Sequence, residues 1–147
     1  MGVAVSPDVL RTILGSCVGI CLYDEKNKII GLSHIMLAEQ SISGTNPKKY
    51  ADSAIPLLIE EMRKAGADTK SLTAKIVGGA AMFNVSPNSI MGDIGRNNVK
   101  KVKEILAQNS IDIIAEDTGG DYGRTIDFFS LDGTVKVKSL GKEEKNL

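Results

Sequence analysis

The chain has 147 residues, 42% hydrophobic and 24% charged, with 18 Lys+Arg against 18 Asp+Glu. That length suits one domain with a real core, and that composition excludes a disordered chain. Zero formal charge without a local basic cluster, with three Tyr, three Phe and no Trp, excludes the charge and stacking surfaces of a nucleic-acid binder or an anionic-membrane binder. Two runs rich in Val, Ile and Leu, residues 9–14 and 18–23, are separated by Gly15-Ser16-Cys17. In the second, Val18, Ile20 and Leu22 alternate with Cys17, Gly19, Cys21 and Tyr23, the period of a strand. DEKNK (24–28) is a polar turn, and IIGLSHIML (29–37) is the return strand of a hairpin, with Ile30, Leu32, His34 and Met36 on one face. Residues 38–48 read as a loop of Ser, Gly, Thr, Asn and Pro.

From about Lys49 to Ala65, Tyr50, Ala54, Leu57, Leu58, Glu61, Met62 and Ala65 recur at helical spacing, and Gly66 supplies a stop. Pro56 argues against an uninterrupted helix and predicts a kink. LTAKIVGGAAMF (72–83) is a strand running into a Gly-Gly bend. A loop with Pro87 follows, then a helix from about Arg96 to Gln108 with Val99, Val102, Ile105 and Leu106 inward. IDIIAED (111–117) reads as a buried strand, TGGDYG as a loop, and RTIDFFSLDGTVKVKSL as a hairpin turning at Asp132-Gly133. The charged tail GKEEKNL, residues 141–147, is expected to fray. No repeat or linker divides residues 1–147. Hairpins outnumber regular βαβ units, so the expected fold is a single-domain α+β protein, sheets with helices packed outside.

No apolar run approaches the roughly 18 residues of a membrane span, and no charged leader with an apolar stretch opens the sequence. Two cysteines in that setting read as reduced thiols of a cytoplasmic protein. A bridge between Cys17 and Cys21 is awkward, because four residues of strand span about 13 Å.

A cysteine acts as a nucleophile through its thiolate, which needs a base and an approachable position. Cys17 follows Gly15 and Ser16, where the backbone bends without a bulky side chain and its N–H groups can converge on an oxyanion. A turn centred near Lys26 places position 17 near position 35, almost opposite His34, within cross-strand reach. His34 is the only histidine. Spacing alone leaves two descriptions open, a nucleophile with its base or two packed core residues. Cys21, mid-strand without a neighbouring glycine, reads as packing. Thr12, Ser16 and Ser33 are the nearby hydroxyls available to orient an imidazole. No metal or cofactor is expected. GGAAMF lacks the lysine of a phosphate loop, Glu116, Asp117 and Asp121 lack a calcium-loop rhythm, and two cysteines with one histidine do not form a zinc set here.

The segments LGSCVGICLYD, GLSHIML, KYAD, KIVGGAAMF, IGRNNV and AEDTGGDYGRTIDF together resemble the chemoreceptor glutamine deamidases called CheD. They follow the family's order over roughly residues 10–140. The resemblance implies a cytoplasmic protein-glutamine glutaminase. Such an enzyme converts selected glutamine side chains on the cytoplasmic helices of chemotaxis receptors into glutamates, releasing ammonia, and some members also hydrolyse receptor methyl esters. It implies Cys17 as nucleophile, His34 as its histidine, and an upstream threonine whose nearest match is Thr12. It also implies an α/β sandwich similar to the deamidase domain of cytotoxic necrotizing toxins, and a CheC-type phosphatase as partner. Backbone N–H groups near Gly15 and Ser16 would hold the oxyanion, with no cofactor and no membrane insertion. The alternative is a mainly non-catalytic docking partner that stimulates the phosphatase.

Overall fold

Alternation of apolar and small residues along the N-terminal half does produce strands, and they close into two sheets. The computed structural model describes residues 1–147 except 84, 85, 87, 88, 90, 91 and 92, so the expected loop with Pro87 lies outside the described residues. In chain order the elements are β1 (Gly2–Val5), β2 (Val9–Leu14), β3 (Val18–Asp24), β4 (Ile29–Ile35), a 3-10 turn (Pro47–Lys49), α1 (Ala51–Lys64), β5 (Thr73–Gly78), α2 (Ile94–Gln108), β6 (Asp112–Thr118), β7 (Arg124–Phe129), β8 (Val135–Lys138) and β9 (Lys145–Asn146). One sheet runs β1-β4-β3-β5-β6 and the other β2-β7-β8-β9. Pairing is antiparallel except between β5 and β6, which α2 connects as a parallel crossover.

β3 is buried along its whole length, and its two faces enter different cores. Val18, Ile20 and Leu22 pack with Ala54, Ile55, Leu58 and Met62 of α1 and with Val102 and Leu106 of α2. Cys21 and Tyr23 pack with Leu14, Ile126, Phe128, Val135 and Val137 of the smaller sheet. The molecule is therefore three layers, helices on sheet on sheet. The α+β expectation holds, with both helices covering the same face of the larger sheet.

Four expectations change. α1 runs through Pro56 without a break. Pro56 is exposed in the second helical turn, and it removes one N–H donor, the one that would meet the carbonyl of Asp52. The strand at 112–118 is an edge strand rather than a buried one: it alternates exposed and half-buried positions, and Ile114 is 58% exposed. The tail is tied down instead of frayed. Lys145 and Asn146 pair with β8, and Leu147 exchanges both backbone hydrogen bonds with Val135, satisfying that strand's open edge. Finally, Gly2–Val5, not read as a strand from the sequence, pairs with β4.

Candidate active site

The β3–β4 hairpin pairs Val18 with Ile35 and Gly19 with His34. The register is one residue away from the sequence estimate, which set position 17 against 35, and the difference matters. Directly paired residues share a face, so with His34 opposite Gly19 the imidazole lies on the face that also carries Cys17 and Cys21. Pairing 17 with 35 would have put His34 on the helix side. The turn explains the shift: Asp24 accepts from the backbone N–H groups of Lys26 and Asn27 and from the Asn27 side chain, and Lys28 takes a left-handed φ of 54°. Gly19 leaves space for side chains of the second sheet. A methyl group there would stand 2.9 Å from Leu14 Cδ1 and 3.3 Å from Ile126 Cδ1.

The second sheet supplies the imidazole's partner. Along β2, Leu10, Thr12 and Leu14 face into the sandwich while Arg11 and Ile13 face out. Thr12 thereby reaches His34, with Oγ1 2.8 Å from Nδ1. Of the three hydroxyls near the pair, this is the one on the ring. β2 is held for this by its pairing with β7 over residues 9–14 and by Arg11 bonded to the buried Asp127.

The segment bearing Cys17 is clamped through its carbonyls. Gly79 N–H donates to Cys17 O at 2.8 Å and Ala80 N–H to Gly15 O at 2.9 Å. The Asn98 amide donates to Ser16 O at 3.1 Å and to Met36 O at 2.9 Å. Gly78 is needed here: its φ is +112° and a Cβ would sit 2.3 Å from Cys17 O. Among the described residues, by contrast, no N–H of Gly15, Ser16 or Cys17 donates to another residue's carbonyl. All three carbonyls are turned into the body, which leaves the amides as the available donors of the bend.

Asn98 did not stand out in the sequence. The signal was there, because it lies between Gly95 and Val102 on the buried stripe of α2, where a polar side chain must find partners. Asp117, near the end of β6, is committed elsewhere: it pairs with the fully buried Arg124 at 3.1 Å and with Lys145 at 3.5 Å.

Electrostatics set the resting state of the pair. Burial pushes the half-buried Cys17 thiol above its ordinary value. Burial, with the N-terminal ammonium as the lesser cause, holds His34 below the usual imidazole range. Both shifts favour neutral groups. Cys21, fully buried, is pushed up much further by desolvation, and its thiol is closed off from solvent.

A thiol beside a glycine bend, a neutral imidazole on the same face of the sheet and a hydroxyl on one ring nitrogen are parts that a thiol hydrolase uses, set in an α+β sandwich. The family model for CheD chemotactic sensory transduction matches residues 36–139. A protein of Clostridium botulinum strain Eklund 17B, named probable chemoreceptor glutamine deamidase CheD, is 52% identical over 92% of this chain and 86% of its own length. Proteins of the same name from Clostridium novyi and Caldanaerobacter subterraneus are each 51% identical, over 96% and 95% of this chain and 89% and 88% of their own lengths. The chain belongs to the CheD family.

Proposed function

We propose that this protein is a chemoreceptor glutamine deamidase, acting as one CheD-like domain over residues 1–147, with Cys17 as nucleophile, His34 as general base and Thr12 as the residue that orients the imidazole. The observation that carries the mechanism is the Thr12–His34 hydrogen bond on the face that bears Cys17. For His34 to act as base, Thr12 Oγ accepts from Nδ1–H, which leaves the Nε2 lone pair free. Because both partners rest neutral, Nε2 takes the thiol proton as Sγ attacks the glutamine carbonyl, rather than starting from a stored ion pair. The amides of Gly15 to Cys17 hold the oxyanion. The imidazolium then returns its proton to the departing nitrogen, ammonia leaves and a thioester remains. Water, deprotonated by His34, cleaves the thioester to glutamate and the free thiol. One water enters and one ammonia leaves, and no cofactor takes part in these steps.

The relatives' name gives the substrate, glutamine on chemoreceptors. A chain that works on the inner segments of receptors acts in the cytoplasm, and among the described residues no helix is long and apolar enough to cross a membrane. The family resemblance further implies an α/β sandwich similar to the deamidase domain of cytotoxic necrotizing toxins, and we propose that likeness for this layered fold. Docking of a CheC-type phosphatase is a second role, favoured by exposed Met36 and Met82 next to the Cys17 bend. It is tested by phosphatase stimulation with Cys17→Ala protein. The deamidase reading is tested on receptor fragments: wild-type protein raises target peptides by one dalton with release of ammonia, and Cys17→Ala and His34→Ala do neither while remaining folded. Full activity in either variant would sink the mechanism.

A further inference from the structure

The segment 78–81 has two sides. One holds the Cys17 bend through the Gly79 and Ala80 amides. The other forms the wall of a cavity of about 490 Å³ whose opposite side is α2. Arg96, Lys100 and Lys103 line it, four and three residues apart and so on one helix face, with Thr118 and Gly119 closing the far end. Among the described residues, none that lines it is acidic. This is a local cationic site on a chain of zero formal charge, and it appears only when the helix brings the three side chains together.

The cations are not equally committed. Lys103 is paired with Glu116 at 2.9 Å, and Arg96 lies 3.7 Å from Asp93. Lys100 is exposed and has no ion-pair partner among the described residues. The cavity is held in shape from beneath: Arg124, wholly buried, donates to Gly119 O at 2.9 Å, and Gly119 N–H donates to Gly78 O. Met82 and Phe83, which follow the lining residue Ala81 in the chain, are exposed, 44% and 62%. Exposed apolar residues just after a cavity wall that faces an unneutralised lysine fit an amphipathic helix that carries an acidic residue, not a bare anion.

We propose that this cavity is a carboxylate subsite, which receives an acidic side chain of the protein substrate and so selects which glutamine reaches Cys17. The proposal rests on the deamidase reading and adds its selectivity: binding a carboxylate at α2 fixes the register of the partner helix against the Cys17 bend through the shared segment 78–81.

The test uses helical peptides with a single glutamine and either Glu or Lys placed four or seven residues to one side of it. Wild-type protein should show kcat/KM about tenfold higher for the acidic peptide at one spacing, an advantage that shrinks with added salt. Lys100→Glu, an exchange on an exposed helix face, should cancel or reverse that ratio. An unchanged ratio in Lys100→Glu, or no acidic preference at any spacing, overturns the subsite. If wild-type protein releases no ammonia from any peptide, the deamidase reading fails separately. Fluorescence anisotropy of the same labelled peptides then decides the subsite. Tighter binding of the acidic peptide to wild type than to Lys100→Glu supports it, and equal binding overturns it.

Discussion

The two faces of the larger sheet divide the work. Toward the helices, β3 and β4 present Val18, Ile20, Leu22 and Ile35 to an apolar core, and Gly31 is there because Met62 and Leu58 leave no room: a methyl group would lie 2.5 Å from Met62 Sδ. Toward the second sheet the same strands present Cys17, Gly19, Cys21 and His34. There a glycine makes space for Leu14 and Ile126 of the second sheet instead of for a helix. One face is filled for cohesion. The other is filled in its middle, at Cys21, and left partly open at its end, at Cys17.

The contrast between the two cysteines is the sharpest way to break this division. In native protein an alkylating reagent should modify Cys17 at least about a thousandfold faster than Cys21, read by peptide mass spectrometry, with Cys21 reacting only on unfolding. Comparable native rates would remove the distinction. The glycines come next. Gly31→Ala should lower stability by about 1–3 kcal/mol in urea titrations, because backbone and two α1 side chains must shift. Gly19→Ala should destabilise less, since it meets the ends of Leu14 and Ile126, yet lose more ammonia release. The reverse ordering would mean that the faces are not specialised.

Smaller in effect is Thr12→Val, which keeps volume but frees the ring. It should cut kcat about tenfold with little change in KM, and Thr12→Ser should restore most of it. Smallest is a displacement of the pH profile. Because burial holds His34 below the ordinary value of about 6.5, the base form persists to lower pH. Activity should therefore be full above neutrality and fall only as pH drops through that lowered value, its acid limb below that of an unperturbed imidazole. An acid limb above 6.5 would contradict the resting state described.

Much of the site is legible in sequence because it is local. The strand period of 17–23, the polar turn and the return strand are enough to put Cys17 and His34 on one hairpin. The register is not legible, since it depends on how Asp24 and Lys28 close the turn. Nor is the partner of the strand bearing Thr12: β2 pairs with residues 124–129, more than a hundred positions away, and no local pattern names such a partner. Resemblance pointed to Thr12, and the sandwich places its hydroxyl on the ring. Asn98, β1 and the docked tail escape for the same reason, because each is defined by what it meets across the fold.

The carbonyl clamp on Gly15–Cys17 has a consequence for how the protein is made. Cys17 precedes in the chain every residue that holds its bend, Gly79, Ala80 and Asn98, and the strand bearing Thr12 waits for β7. During synthesis Cys17 emerges before its scaffold and stays without it until residues 79–129 have followed. The bend is set only after α2 and β7 have been made, so its geometry reports that the fold is finished.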